Sequence, residues 1–143
     1  MSHDVSRFVT AQAGTYPGVL RELRAGRKTG HWIWYVFPQL AGLGRSDVSR
    51  MYAITSLDEA RAYLAHPVLG ARLRECAGTL LEHRDRSAEA ILGSLDAAKV
   101  RSSMTLFHRA DPDEPLFAAV LGRFYGGIPD ALTDALLPCP PAR

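Results

Sequence analysis

Apolar residues recur at intervals of three and four along most of the chain, which is the spacing of one face of an α-helix. The clearest case is the set Leu69, Leu73, Cys76 and Leu80, which defines an amphipathic segment. A strand pattern competes only at residues 32–37, whose β-branched and aromatic side chains suit a strand as well as a helix. The sequence therefore predicts an all-α fold, a compact single-domain bundle of about seven or eight short helices.

Residues that start and stop helices divide this pattern into short elements. Asp4 can cap a first helix that Pro17 kinks or divides and that Gly26 ends. Ser56 and Glu59 have the spacing of a capping box at the start of another helix. Further helices are predicted to start after Ser46, at Pro67, at Ser87, at residues 93–94, at residues 111–112 and at residues 129–130.

The length and composition of the chain suit one domain with one core. It has 143 residues, of which 47% are hydrophobic and 22% are charged. We predict a single helical domain over residues 1–137 and a Pro-rich flexible tail over residues 138–143. No apolar run is long enough to cross a bilayer and no secretory signal is recognised, which predicts a cytoplasmic protein without membrane contact. Cys76 and Cys139 lack CxxC spacing, so no structural disulfide or zinc ribbon is predicted.

Charge is distributed along the chain, with 17 basic and 15 acidic residues and a formal net charge of +2. Residues 21–45 are an exception, because five cations there face a single acid, Glu22. This segment suits either an anion-binding patch or an ordinary solvated face. A mixed charge pattern is not typical of nucleic-acid-binding proteins, so nucleic acid is the least favoured partner. The five cations are Arg21, Arg24, Arg27, Lys28 and Arg45.

The segment from His31 to Gln39 contains both tryptophans of the chain and is apolar on every face if it is helical. One interpretation is a central core helix whose Trp and Tyr polar atoms are satisfied internally. The other is an aromatic wall, formed by Trp32 and Trp34, on which a flat ring stacks while His31 and Gln39 supply hydrogen bonds. The sequence leaves both interpretations open.

Two lysines and a group of hydroxyls suggest sites for an anion. Lys28 lies between two glycines just before the aromatic segment, where backbone N–H groups can join it in binding phosphate or carboxylate. Its surroundings lack the spacing of a nucleotide-hydrolysing P-loop, and a solvated loop lysine is the simpler interpretation. Lys99, Ser102 and Ser103 form a donor-rich stretch of a helix, which suits an anionic ligand or hydrogen bonds to neighbouring helix ends.

Histidines and acids give weaker indications of chemistry. His31 and His66 are candidate proton carriers because imidazole titrates near neutrality, although a buried histidine that caps a carbonyl is commoner. The five histidines show no metal-ligand spacing, so we predict no metal and no cofactor. Asp96 falls in a first helical turn, where the helix dipole explains an acid, and no carboxylate pair stands out for acid–base catalysis.

Three long phrases resemble a known family: AGRKTGHWIWYVFPQLAGLGRS, SLDEARAYLAHPVLGARLREC and KVRSSMTLF. They resemble the bacterial domain-of-unknown-function family eighteen-ten, whose members are sometimes mislabelled calpastatin. The resemblance covers nearly everything from Asp4 to Leu136, and it implies an all-helical single domain with no established activity. The residues it marks include Lys28, Gln39 and Lys99.

These observations lead to two hypotheses of different kinds. In the first, the marked segments form an aromatic and basic pocket that binds, or binds and transforms, a small anionic ligand such as a nucleotide or ADP-ribose-like group. In the second, the aromatic segment contacts a protein partner, or a second copy in a homodimer, without catalysis. For the pocket we expect His31 or His66 to transfer protons. The expected ligand-binding residues are Lys28, Trp32, Trp34, Gln39, Lys99, Ser102 and Ser103.

Overall fold

A computed structural model describes residues 4–137, and within that range the chain forms ten α-helices and no β-strand. The all-α prediction is confirmed, but the expected number of seven or eight helices is wrong. Four of the ten are turns of only four to six residues, too short to give a clear periodic pattern. The predicted tail, 138–143, lies outside the described residues. The helices are α1 (Ser6–Gln12), α2 (Tyr16–Ala25), α3 (Ile33–Val36), α4 (Asp47–Met51), α5 (Leu57–Ala65), α6 (Leu69–Leu81), α7 (Ala88–Leu92), α8 (Ser94–Ala110), α9 (Pro115–Tyr125) and α10 (Ala131–Leu136).

Helix α8 is the centre of the fold, with α3, α5, α7, α9 and α10 packed around it. Its predicted apolar stripe, including Met104 and Phe107, is buried. The Phe107 ring lies 5.3 Å from the Tyr63 ring of α5 and 5.9 Å from the Phe117 ring of α9, measured between centroids. Because α8 is surrounded, its polar residues Ser103 and Thr105 are buried as well.

Caps set several helix boundaries where the sequence places them, but α1 has Val5 and not Asp4 at its N-cap, and α9 begins at Pro115 and not at residues 111–112. The chain divides between α1 and α2 just before Pro17, and α2 ends at Gly26 in the left-handed conformation, with φ of 73°. The Ser56 side chain accepts a hydrogen bond from the Glu59 N–H at 3.1 Å. The Glu59 carboxylate instead accepts from the Thr55 N–H at 2.7 Å, one residue before the expected cap, so the capping box is formed only in part.

A short parallel bridge fixes the loops on either side of α4. The Ala41 N–H donates to the Ile54 carbonyl at 2.7 Å, and the Ile54 N–H donates to the Gln39 carbonyl at 2.9 Å. Arg7 of α1 donates to the carbonyls of Met51 and Ala53 at 2.9 and 2.8 Å. Segments 39–41 and 51–54 are therefore held together. Within residues 4–137, none of the helices is both long and apolar enough to span a membrane.

Candidate functional site

Both lysines of the chain contact the same carboxylate, that of Asp96 in the first turn of α8. The Lys28 Nζ lies 2.6 Å from Asp96 Oδ2, and the Lys99 Nζ lies 3.2 Å from Asp96 Oδ1. The Lys28 side chain is only 6% exposed, whereas that of Lys99 is 28% exposed. One lysine therefore forms the floor of this cluster and the other remains accessible to a ligand.

The loop between α2 and α3 positions Lys28. The Lys28 N–H donates to the Ile91 carbonyl of α7 at 2.7 Å, and its ammonium group also donates to the Gly30 carbonyl. These contacts attach the loop to the junction of α7 and α8. The ammonium group consequently has a fixed position beside Asp96.

Glu22 holds the other side of this loop. Its Oε1 accepts hydrogen bonds from the N–H groups of Thr29 and Gly30, at 2.7 and 2.8 Å, and from the Trp32 Nε1 at 3.0 Å. Burial raises the pKa of the Glu22 carboxyl, but these hydrogen bonds outweigh it and the net effect is a lowered pKa. An ionised Glu22 therefore stabilises the backbone that carries Lys28 and His31.

The two tryptophans occupy different environments. Trp32 is buried in the core, and the Lys28 Nζ lies 5.0 Å from its ring centroid. Trp34 is half-buried, and the Lys99 Nζ lies 5.5 Å from its ring centroid. Each lysine is thus placed over one indole ring, at a distance suited to cation–π attraction.

We call the depression around this cluster the lysine cleft. It has a volume of about 380 Å³, within the range of small-molecule sites. Gly93 precedes α8 with φ of 84° and supplies no side chain to cap the helix, so the first turn of α8 opens into the cleft. The lining consists of Lys28, His31, Trp34 and Lys99 together with residues 92–96.

A second depression adjoins the first at Trp34, and we call it the Gln39 cleft. It is smaller, about 170 Å³, and its lining is mostly apolar. The walls come from the bridged segments on either side of α4. They comprise Trp34, Gly44 and Thr55 with residues 39–42, 49–50 and 52–53.

The remaining predicted site residues lie elsewhere. The Ser102 hydroxyl is buried and donates to the Ala98 carbonyl at 3.2 Å, and the Ser103 hydroxyl is buried without a hydrogen-bond partner among the described residues. The His66 Nδ1 accepts from the N–H groups of Val68 and Leu69, at 3.1 and 3.3 Å, at the start of α6. His66 lines a separate cavity with residues 4–6 and 9–10, so the structure does not place it in the lysine cleft.

Comparison with known proteins gives the family of the chain. Residues 2–137 match the model of a family described as "Protein of unknown function (DUF1810)". The chain belongs to the DUF1810 family. The resemblance carried by the three sequence phrases is thereby confirmed.

A solved structure resembles this DUF1810 chain closely. It is the crystal structure of the conserved hypothetical protein Rv1873 from Mycobacterium tuberculosis, with 54% sequence identity and a TM-score of 0.92. The similarity covers 94% of this chain and 96% of that one. Among curated proteins, none matches the DUF1810 chain.

Asp96, which contacts both lysines, and Glu22, which holds the loop that carries Lys28, are not among the site residues predicted from the sequence. Asp96 was explained by its place in a first helical turn, but its spacing of three residues from Lys99 is that of a helical ion pair and points to the contact. Glu22 appeared only as the single acid in a basic segment, and its contacts depend on a loop that periodicity does not describe. Within residues 4–137 no group of three or more His, Cys, Asp or Glu side chains is placed to hold a metal ion.

Proposed function

We propose that this protein binds a small anionic ligand, of the nucleotide or ADP-ribose-like class, in the lysine cleft. The observation that supports the proposal is the position of the lysines in the structure. The chain has fifteen arginines spread over its length and only two lysines, and both lysines contact Asp96 in this cleft. Lysine is a compact cationic donor suited to phosphate oxygens.

The charges of the cluster favour an anion. Two ammonium groups and one carboxylate leave one net positive charge, and the first turn of α8 adds the positive end of its dipole. The Lys28 ammonium is nearly buried, so its field is weakly screened by water. Asp96 occupies both lysines when no ligand is bound, and an incoming phosphate would share or replace that contact.

The aromatic segment supports ligand binding better than partner binding. Four of its apolar residues, Trp32, Ile33, Val36 and Phe37, are buried in the core and offer no surface to another protein. The accessible residues are His31, Trp34, Tyr35 and Gln39, and all of them except Tyr35 line at least one of the two clefts. Of the two candidate proton carriers, only His31 is in the lysine cleft, so we assign proton transfer in a reaction at this site to His31.

A thermal-shift screen tests the proposal, with isothermal calorimetry on each compound that raises Tm. The panel contains nucleotides, ADP-ribose, NAD and sugar phosphates. Lys99→Met is expected to lower the affinity for the best compound about tenfold or more, because a charge-assisted hydrogen bond is lost. The matched control is Arg24→Met, which removes the same charge from an exposed position outside the cleft and should leave affinity unchanged.

Asp96→Asn provides a test of opposite sign. Removal of the competing carboxylate is expected to raise affinity for the same compound several-fold. The proposal is wrong if no anionic compound raises Tm at millimolar concentration, or if Lys99→Met binds the ligand as tightly as the Arg24→Met control does.

A further inference from the structure

The proposed anion-binding function involves only the lysine cleft. The Gln39 cleft shares the lining residue Trp34 with it and has no role assigned so far. Trp34 is the residue that lines both depressions. Its ring is associated with the Lys99 ammonium at 5.5 Å. A molecule that is anchored by its phosphate at Lys99 and extends into the second cleft would therefore contact Trp34.

The walls of the Gln39 cleft are fixed before a ligand arrives. The bridge between segments 39–41 and 51–54 holds them at hydrogen-bond distance, and Arg7 ties the second segment to α1. The Tyr52 ring packs 5.4 Å from the Tyr35 ring and 5.8 Å from the Phe8 ring. A preformed aromatic cleft loses little conformational entropy when a rigid ring enters it.

Gln39 is one of five residues with polar side chains that line this cleft, the others being Ser49, Arg50, Tyr52 and Thr55. Among the described residues its side-chain amide has no hydrogen-bond partner, although the Gln39 carbonyl of the backbone is occupied by Ile54. A carboxamide presents one acceptor and two donor hydrogens, which complement the edge of a nucleobase. The Thr55 hydroxyl is less available, because it already donates to Glu59 at 3.2 Å.

We infer that the Gln39 cleft binds the nucleobase of a nucleotide whose phosphate is held in the lysine cleft. This inference rests on the proposed function. The base lies in a site bounded by the Trp34 and Tyr52 side chains, and the Gln39 amide recognises its edge. A volume of about 170 Å³ is below the range of drug-sized pockets, so the cleft takes one ring system and not a larger group.

Calorimetry with paired ligands tests the base site without altering the protein. The probes are ribose 5-phosphate, which has no base, and the four ribonucleoside monophosphates AMP, GMP, CMP and UMP. At least one nucleotide is expected to bind tenfold or more tightly than ribose 5-phosphate, because stacking and one amide hydrogen bond are added.

The Gln39→Leu variant then distinguishes the contributions of the two clefts to affinity. It is expected to lower affinity for the preferred nucleotide about tenfold and to leave affinity for ribose 5-phosphate unchanged. Lys99→Met is expected to weaken both ligands. Circular dichroism melting verifies that each variant is folded, and the comparison of ligands in the parent protein stands even if a variant is not.

The possible results distinguish this inference from the function on which it rests. If ribose 5-phosphate and every nucleotide bind equally, or if Gln39→Leu weakens them equally, the base site is wrong while anion binding at the lysines stands. If none of the five compounds binds at millimolar concentration, both the base site and the nucleotide assignment are overturned. A nucleotide preference that Gln39→Leu abolishes supports the inference.

Discussion

Two hydroxyls on α8 show how little the chemical type of a residue says about its role. Ser103 and Thr105 are both fully buried. The Thr105 hydroxyl donates to the Arg101 carbonyl at 2.8 Å and accepts from the Asp130 N–H at 2.9 Å, which connects α8 to the start of α10. The Ser103 hydroxyl has no partner among residues 4–137. Only the Thr105 hydroxyl therefore stabilises the observed fold through hydrogen bonds.

Ser103→Ala is expected to change the free energy of unfolding by less than about 0.5 kcal/mol, because no hydrogen bond is lost. Thr105→Val keeps the shape but leaves the Asp130 N–H unpaired, and should destabilise by about 1–3 kcal/mol. Urea titration followed by circular dichroism measures both. A loss above about 1 kcal/mol in Ser103→Ala would show that this hydroxyl has a partner.

Residue types in the candidate site were predictable, but their grouping was not. The sequence drew attention to Lys28, His31, Trp34 and Lys99, and the structure places these four around one cleft. It drew equal attention to His66, which lies in another cavity. Residues 28 and 99 are far apart in the chain, so their proximity depends on the packing of the α2–α3 loop against the α7–α8 junction, which local patterns do not encode.

Among the helices, α10 is attached to α8 by an ion pair whose strength depends on pH. Arg109 donates to both carboxylate oxygens of Asp134, each at 2.9 Å. Hydrogen bonding from Arg109 is the main cause of a lowered pKa at Asp134. A carboxyl with a lowered pKa in the folded state stabilises the protein above its unfolded pKa, and the contribution disappears as pH falls through the folded value.

Asp134→Asn should therefore be less stable than the parent at neutral pH, and the difference should shrink as pH falls below about 4. The effect is expected to be modest because both side chains are about a third exposed. Urea unfolding at pH 7, 5, 4 and 3 measures it. Asp58→Asn is the control, since Asp58 is 76% exposed in its pair with Arg61. Equal pH profiles for the two variants would contradict the prediction.

Helix type was predictable from spacing and caps, whereas the degree of burial was not. Gly26, Ser56 and Ser87 mark helix boundaries through their own backbone or hydroxyl groups, which are local features. The face of α8 that carries Ser103 looked polar in sequence. Its burial follows from the five helices that pack against α8, which are α3, α5, α7, α9 and α10, and a single-helix pattern has no information about such neighbours.

At the scale of the whole molecule, a connected series of six aromatic rings runs through the core, and three of them meet where α5, α8 and α9 pack together. The series is Tyr35, Tyr52, Phe8, Tyr63, Phe107 and Phe117. Phe107→Ala removes a fully buried ring that contacts both neighbours, and should destabilise by about 3–5 kcal/mol. That is a large part of the 5–15 kcal/mol typical of a domain. Leu132→Ala, at a position 66% exposed, is the control and should change stability by less than about 0.5 kcal/mol.

The same titrations test whether the chain unfolds as one domain. Circular dichroism reports on all helices, whereas tryptophan fluorescence reports on residues 32 and 34 alone. Coincident midpoints in the parent and in Phe107→Ala are expected for one cooperative unit. Separate midpoints would show that the aromatic segment unfolds independently of the bundle, contrary to the single-domain prediction.

The placement of both lysines in one cleft has a practical consequence for chemical modification. In most proteins, amine-directed reagents react at many surface sites. Here the only side-chain amines are Lys28 and Lys99, and Lys28 is nearly buried. Apart from the α-amino group, acylation or reductive methylation is thus confined to this cleft, and a ligand bound there is expected to protect Lys99 from modification.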